Sequence, residues 1–336
     1  MNEKSYGGNN GIREHMGKVT RDKSKKNLQK INEKNKSKIT SDSNQEIDSY
    51  IKAGEIAKKI RVFAGNLIKK DMLLSEIAKK IHDKIEELGG EQAFPVNLSI
   101  DDIAAHYHPT QEDKTLAAGL LKIDIGVHIN GYIADTAFSL DLTDDKKHTK
   151  LIEAAESALN EALKLQDNDP TLNDIGKTIQ EEIQNKGFSP IVNLCGHSLA
   201  QHNIHAGITI PNHANNNENT LPEGSYAIEP FATTGEGKIY EGPPSNIYVI
   251  DNYKKPRSPT ARKIIDYVYE KYKTLPFSLR EIQEKFGPMS RLGMKELVQN
   301  NIIHSYPQLI EKEHGIVAQA EHTFIKTKDN IIITTK

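Results

Sequence analysis

The fold is decided by one stretch of this chain, Lys122-Ile-Asp-Ile-Gly-Val-His-Ile-Asn-Gly-Tyr-Ile-Ala-Asp-Thr136. Its two apolar runs flank Asn130-Gly131, a dipeptide that favours a two-residue hairpin turn because both turn positions need positive φ. We therefore expect antiparallel strands over 120–127 and 132–137. Asp124 interrupts the first apolar run and Asp135 the second. An unpaired buried carboxylate is strongly unfavourable, so both acids are expected to bind a cation if the register places them on one face.

Amphipathic helices lie before and after this hairpin. Apolar residues recur at three- and four-residue spacing over 47–68 and 74–88, and again over 150–165 and 172–184. Each helix pair leads into short strands, which indicates a duplicated α/β architecture. Further strands are expected over 191–194, 226–231, 245–250, 316–324 and 331–335.

A third helical region follows between residues 252 and 318. Helices are expected over 261–272, 279–286 and 293–300, with Pro276 and Pro288 as breaks. Strand-forming sequence resumes afterwards, so this region is predicted to be an inserted helical module.

Length and composition narrow the class of protein. A chain of 336 residues can hold one large core and a smaller module. The formal net charge of −2 lacks the overall basicity of a dedicated nucleic-acid binder. Cys195 is the only cysteine, which excludes an intramolecular disulfide and a cysteine zinc site. No apolar run approaches the roughly 18 residues of a membrane span, and the first ten residues are polar. We expect a cytoplasmic protein without membrane association.

Residues 1–43 are expected to form a disordered basic tail. They contain eleven Lys or Arg and five Asp or Glu, with few aliphatic residues. One interpretation is electrostatic attraction to RNA, for instance on the ribosome near the nascent chain. The other is a solubilising extension without a partner.

Acidic and imidazole side chains recur beside the predicted strands. They are Asp124, Asp135, His197, Glu229 and Glu321. Four neighbouring carboxylates repel one another unless about two divalent ions lie between them. This oxygen-rich set suits Mn²⁺, Fe²⁺ or Co²⁺ as well as Zn²⁺. Two such ions sharing a water would support hydrolysis of a carbonyl compound, with His106 and His205 free to donate protons or hydrogen bonds.

Simpler interpretations exist for each residue alone. A single acid in a strand is more often a satisfied buried carboxylate than a ligand, and it is the combination of five that favours a metal site. Cys195 and His197 would also suit a nucleophilic pair, but no separate acid is available to orient the imidazole. A small buried thiol is the commoner interpretation of Cys195.

Several stretches together resemble one known family. They are Ala93-Phe-Pro-Val-Asn-Leu-Ser99, Ala104-Ala-His-Tyr107, Lys122–Thr136, Gly196-His197, His205-Ala-Gly207, Ala227-Ile-Glu-Pro-Phe231 and Ala318-Gln-Ala-Glu-His-Thr323. In this order they resemble the type 2 methionine aminopeptidases of the archaeal form, from about residue 47 to the C-terminus.

The resemblance implies the pita-bread α/β fold, with two pseudo-symmetric halves around a curved antiparallel sheet. It assigns a catalytic domain to 44–251 and 319–336 and a winged-helix-like inserted subdomain to 252–318. It also implies a monomer that removes the initiator methionine from new polypeptides when the next residue is small.

The resemblance further implies how the metals are held. Asp124 would bind one ion, His197 and Glu229 would bind the other, and Asp135 and Glu321 would bridge both. Glu229 would also manage the proton of the attacking water.

For the substrate, the resemblance implies contacts with His106 and His205, the latter near the scissile carbonyl. Phe94 and Ile204 are similar to residues that line the methionine pocket. Two rival functions stay open: an Xaa-Pro peptidase on the same fold, and a non-catalytic member that binds RNA or a protein.

Overall fold

The structure, a computed structural model, describes residues 42–252 and 254–336. The predicted basic tail, residues 1–43, lies outside this description except for its last two residues. Those two residues open the first helix, α1 (Asp42–Leu67).

The first half of the molecule packs two helices against a sheet. Helix α1 and helix α2 (Leu74–Glu87) cover strands β1 (Glu91–Gln92), β2 (Asn97–Ile100), β4 (Leu120–Ile129) and β5 (Tyr132–Asp141). The apolar stripe of α2 faces this core, as the spacing predicted: Ile77, Ala78, Ile81 and Ile85 are buried. Strand β3 (Ile103–Ala105) follows β2.

The hairpin between β4 and β5 is confirmed. Asn130 and Gly131 have φ values of 55° and 86°, which are the left-handed conformations that this turn requires. Its antiparallel register pairs Asp124 with Ala137 and Gly126 with Asp135.

The second half repeats the arrangement with a second core. Helices α3 (Thr149–Leu165) and α4 (Leu172–Asn185) pack together beneath two sheets. One sheet has the order β16-β15-β9-β7-β8, and the other has the order β14-β10-β6. The strands are β6 (Ser189–Pro190), β7 (Cys195–Leu199), β8 (Thr209–Pro211), β9 (Gly224–Ile228), β10 (Phe231–Thr233), β14 (Val317–Gln319), β15 (His322–Lys326) and β16 (Ile331–Ile333).

Two expected strands are each divided in the structure. The segments predicted over 226–231 and 316–324 pair with one another as β9 with β15 and β10 with β14, in one common register. The ladder breaks at Glu229-Pro230 opposite Ala320-Glu321. Proline has no N–H to donate to a ladder, which explains why both strands stop there.

The strand predicted over 191–194 is wrong. This apolar run is a loop between β6 and β7 whose polar groups are satisfied without a ladder. The Ile191 amide donates to the Phe231 carbonyl, and the Asn193 side chain both donates to and accepts from the backbone of Ile239. Ile191 and Leu194 are buried in the loop, so their apolar character indicated burial rather than a strand.

The region predicted to be a helical module contains the three expected helices. After β11 (Ile239–Ile250) come α5 (Pro259–Lys271), the short strand β12 (Phe277–Ser278), α6 (Leu279–Phe286) and α7 (Ser290–Gln299). Strand β13 (Ile303–Glu311) then pairs with both β11 and β3. The sequence did not predict β13 because Pro307 lies inside it and its side chains are mostly half-buried, without an alternating pattern.

Within the described ranges, none of the helices combines the length and the apolar character that crossing a membrane would require.

Candidate metal centre

The β4–β5 hairpin places two acids on one face. Asp124 lies opposite Ala137, and Asp135 is two residues before Ala137 on the same strand. Side chains two residues apart on a strand share a face, so both carboxylates point to the same side as diagonal neighbours. The hairpin register therefore puts both acids on one face, as a shared cation site requires.

The second half contributes three further side chains. His197 on β7 and Thr323 on β15 both pair with Ala227 of β9. Glu229 lies two residues after Ala227, and Glu321 lies two residues before Thr323. The same period-two argument therefore places His197, Glu229 and Glu321 on one face, at the break in the ladder.

Hydrogen bonds join the two halves at the site. The Glu321 amide donates to the Ala137 carbonyl at 3.0 Å. The Asp135 amide donates to Thr323 Oγ1 at 2.8 Å, and this hydroxyl donates back to the Asp135 carbonyl at 2.8 Å. Asp135 is thereby fixed beside Glu321.

The structure brings all five predicted ligands together in two overlapping groups. Asp135, His197 and Glu321 form one group, and Asp124, Glu229 and Glu321 form the other, with ligand atoms within 4.8 Å of one another in each. Glu321 belongs to both groups. The resemblance instead pairs Glu229 with His197, so the division of ligands between two ions stays a prediction.

The four carboxyl groups hold protons more tightly than usual. Burial raises the pKa of Asp124 to about 7, although Gln319 and Asp135 favour the charged form and lower this pKa. Burial, with repulsion from Asp124 and Glu229, raises the pKa of Asp135 well above its usual value. The pKa values of Glu229 and Glu321 are also raised well above their usual values, mainly by burial and then by repulsion from neighbouring acids. The metal-free cluster therefore tends to keep protons, and a bound cation would instead stabilise the charged carboxylates.

Unpartnered polar atoms show that these residues fit a divalent metal. Asp124 Oδ1, Asp135 Oδ1, His197 Nδ1 and both Glu321 carboxylate oxygens are buried and have no hydrogen-bond partner among residues 42–252 and 254–336. Buried polar groups are normally paired, so such a concentration needs a ligand to satisfy it. Burial lowers the pKa of His197 to about 4, which keeps its ring neutral, as a metal ligand must be.

Two more histidines lie next to this cluster. The His205 ring is 4.6 Å from the His197 ring, and burial with the nearby His197 and His106 lowers the pKa of His205 well below its usual value. His106 has a φ of 66° and its Nδ1 lies 3.1 Å from the Pro307 carbonyl. Its pKa falls to about 4 through burial, so both rings are neutral hydrogen-bonding groups.

Phe94 and Ile204 belong to one apolar cluster, together with Ala93, Ala227 and Leu199. Phe94 and Ile204 are each 8% exposed. Gly126 lies under the Phe94 ring, which a Cβ at this position would overlap, so the glycine makes room for the aromatic side chain. The structure places the two predicted pocket residues in the same apolar cluster, and their contact with methionine stays a prediction.

Sequence reasoning missed Gln319 and Thr323 as members of the site. Gln319 Nε2 donates to Glu229 Oε1 at 2.7 Å, and Thr323 holds the backbone of Asp135. Both lie in the segment Ala318–Thr323 that carries the resemblance, and this proximity to Glu321 was the available signal.

The alternative of a nucleophilic Cys195 is disfavoured. Burial, followed by the charge of Glu229, raises the pKa of the Cys195 thiol to about 12. A nucleophilic cysteine needs a lowered pKa, because the thiolate is the reactive species.

Comparison with known proteins identifies the family. The profile of metallopeptidase family M24 matches residues 48–268. The chain belongs to metallopeptidase family M24. Among its M24 relatives, the methionine aminopeptidase of Pyrococcus horikoshii is 42% identical over 87% of this chain and 100% of its own length. That of Pyrococcus abyssi is 44% identical with the same coverage.

Solved structures support the fold predicted for an M24 member. A thermophilic Arx1 has a TM-score of 0.75 at 19% identity and covers 88% of this chain and 91% of its own. The Thermotoga maritima methionine aminopeptidase has a TM-score of 0.60 at 18% identity, covering 87% and 97%. The Pyrococcus furiosus prolidase has a TM-score of 0.52 at 18% identity, covering 87% and 64%. The pita-bread fold is thus confirmed, and so is the resemblance to methionine aminopeptidases.

Proposed function

We propose that this M24 member is a methionyl aminopeptidase that removes the N-terminal methionine from new polypeptides when the second residue is small. The observation that carries the proposal is the cluster of ligand atoms from Asp124, Asp135, His197, Glu229 and Glu321, in which all of these residues except Glu229 have buried ligand atoms without a hydrogen-bond partner among the described residues. The curated relatives at 42–44% identity support the choice of methionine as the residue released.

The five side chains would hold two divalent ions, for which Mn²⁺, Fe²⁺, Co²⁺ and Zn²⁺ are all chemically suitable. Bound there, such ions would lower the pKa of water and polarise the scissile carbonyl. Glu229 would accept the proton of the attacking water, and one of its oxygens is already held by the Gln319 amide.

The neighbouring residues would bind and orient the peptide. His205, a neutral ring beside His197, would donate a hydrogen bond to the carbonyl oxygen as negative charge develops on it. His106 would contact the peptide backbone, while Phe94 and Ile204 would hold the methionine side chain by apolar contact.

Several further predictions belong to this proposal. They are a cytoplasmic location, a monomeric state, a winged-helix-like subdomain over 252–318, and association with ribosomes through residues 1–43. Loss of salt-sensitive ribosome binding on deletion of residues 1–43 is the expected result for the last of these, and unchanged binding would reject it.

The proposed activity is tested with metal-stripped protein titrated with each of the four ions. We expect methionine to be released from Met-Ala-Ser only when metal is present, and an Xaa-Pro peptide to remain intact. The Glu321→Ala variant provides the blank. Preferential cleavage of the Xaa-Pro peptide would assign the chain to prolidase-type activity instead. Bound metal without any turnover would favour a non-catalytic binding protein.

A further inference from the structure

Gln319 is a buried amide that contacts the metal cluster without being a predicted ligand. Its side chain is 1% exposed and lies at the end of β14, two residues before Glu321. Nε2 donates to Glu229 Oε1 at 2.7 Å. The same amide also acts on Asp124, where it lowers the pKa of the carboxyl against the larger effect of burial. Gln319 therefore binds Glu229 of the second half and also acts on Asp124 of the first half.

The backbone of Gln319 is fixed from two sides. Its amide donates to Ser139 Oγ at 2.9 Å, and Ser139 Oγ donates to the Gln319 carbonyl at 2.8 Å. Gln319 also pairs with Phe231 in the β10–β14 ladder. Ser139 is on the same strand and face as Asp135, four residues away. The amide is thus held by the strand that carries Asp135 and reaches the carboxylate that follows β9.

Glu229 needs such a partner more than the other acids do. It lies in the break of the ladder, outside β9 and β10, so no strand pairing holds its backbone amide. A glutamate carboxylate rotates broadly about its last side-chain bond unless a hydrogen bond fixes it. The Asn212 side chain holds the Glu229 carbonyl at 2.9 Å, which leaves the carboxylate to Gln319.

We propose that Gln319 is a positioning residue for the metal centre, whose amide holds the Glu229 carboxylate toward Asp124 and Glu321 so that the cluster is ready to bind metal. This inference rests on the proposed function. Partners that orient metal ligands raise metal affinity by about 10- to 100-fold in other proteins, which sets the expected size of the effect.

The test measures Mn²⁺ affinity of the metal-stripped full chain by titration calorimetry, with thermal unfolding in chelator as a second measurement. Gln319→Met keeps the length of the side chain but removes the donor, and Gln319→Leu removes the donor with a shorter apolar side chain. The matched control is Gln166→Met, because Gln166 is also buried and donates to a backbone carbonyl in α3, that of Ala162.

We expect both Gln319 variants to bind Mn²⁺ about 10- to 100-fold more weakly than wild type, while Gln166→Met binds it normally. In chelator, Gln319→Met should unfold at a temperature close to that of the control variant. Unchanged affinity in both Gln319 variants, or a lowered melting temperature with unchanged affinity, would overturn the inference. If wild type itself binds no Mn²⁺, the proposed function fails and the inference falls with it.

Discussion

Glu321 is completely buried, and neither of its carboxylate oxygens has a hydrogen-bond partner within the part of the chain that the structure describes. It is also the residue that both ligand groups share. Such a side chain destabilises the protein unless a cation binds it. Among single substitutions, we therefore expect replacement of Glu321 to reduce activity most.

Replacing Glu321 by Ala should abolish metal-dependent turnover. The remaining acids lose the residue common to both groups, so at least one ion is no longer held. Several kcal/mol of transition-state stabilisation then disappear, and kcat/KM should fall by at least about 10³-fold. Glu313→Ala, on the exposed loop after β13, is the control and should leave kcat/KM unchanged. Full activity of Glu321→Ala would contradict the assigned site.

His205→Ala should separate catalysis from metal binding. The ring contacts His197 but belongs to neither ligand group, so metal content should stay at the wild-type level. Losing one hydrogen-bond donor to a developing oxyanion lowers turnover by about 10²- to 10³-fold. The measurement is kcat/KM on Met-Ala-Ser together with the metal content of the same sample. An unchanged kcat/KM would remove His205 from the mechanism.

Among single site residues, those whose chemistry conflicts with their surroundings were the easiest to predict from the sequence. Asp124 and Asp135 stand out because acids are unexpected in apolar strands, and the hairpin turn between them brought them together. Gln319 could not be found in this way, because an uncharged amide beside a strand has many ordinary explanations. Its role depends on the register between β10 and β14, which resumes after the break at Pro230 and is visible only in the folded molecule.

At the scale of elements, the β4–β5 turn supports the loop that carries His205. The His202 amide donates to the Gly131 carbonyl at 2.8 Å, and Gln201 Nε2 donates to the Asn130 carbonyl at 2.8 Å. The His202 ring lies against Gly131 so closely that a Cβ there would overlap it. The turn therefore holds Gln201 and His202, at the start of the loop that carries His205, as well as joining two strands.

Gly131→Ala should affect both stability and activity, whereas Gly187→Ala should affect stability alone. The two glycines have φ values of 86° and 83°, so alanine adds a similar backbone strain of about 1–2 kcal/mol at each. A Cβ at Gly187 would meet nothing within 4 Å. We expect kcat/KM to fall about tenfold for Gly131→Ala alone, through displacement of His205.

Chemical denaturation and steady-state kinetics on both glycine variants provide the comparison. If the two variants lose the same stability and keep the same kcat/KM, the turn does not position the His205 loop. Restoration of kcat/KM by His202→Ala in the Gly131→Ala background would show that the ring transmits the effect.

Elements were predictable where the pattern was strongly periodic. The helix pairs and the helices over 259–299 follow from apolar spacing, capping residues and prolines. Strand β13 and the loop over 191–194 were not predictable. In both cases tertiary contacts, rather than local pattern, satisfy the backbone and decide the conformation.

At the scale of the whole molecule, the site lies where the two halves meet. Each half has its own apolar core, and β5 of the first half hydrogen-bonds to the segment around Glu321 in the second. Metal binding at this position links the halves, so it should contribute to global stability as well as to chemistry.

The stabilisation by metal should depend on pH in a defined direction. In metal-free protein the pKa of Asp124 is about 7, against 3.8 ordinarily, so the folded state binds the extra proton between these values. This carboxyl therefore makes the free energy of unfolding fall as pH rises through that window. A metal ion must displace the Asp124 proton below pH 7, and this carboxyl competes less as pH rises above it. The raised pKa values of Asp135, Glu229 and Glu321 act in the same direction.

We accordingly expect the rise in melting temperature caused by Mn²⁺ to be larger at pH 8 than at pH 6. His197 does not reverse this expectation, because its pKa of about 4 leaves it neutral at both values. Thermal unfolding with chelator and with saturating Mn²⁺ at each pH measures the difference. An equal rise at both values would show that these buried carboxylates do not bind the ion.

The most direct test of the central claim is anomalous diffraction from crystals of this protein grown with Mn²⁺. The five-residue cluster predicts two anomalous peaks in contact with Asp124, Asp135, His197, Glu229 and Glu321. Peaks only at other positions, or a well-ordered cluster without any peak at saturating Mn²⁺, would contradict the account of this site as a two-metal centre.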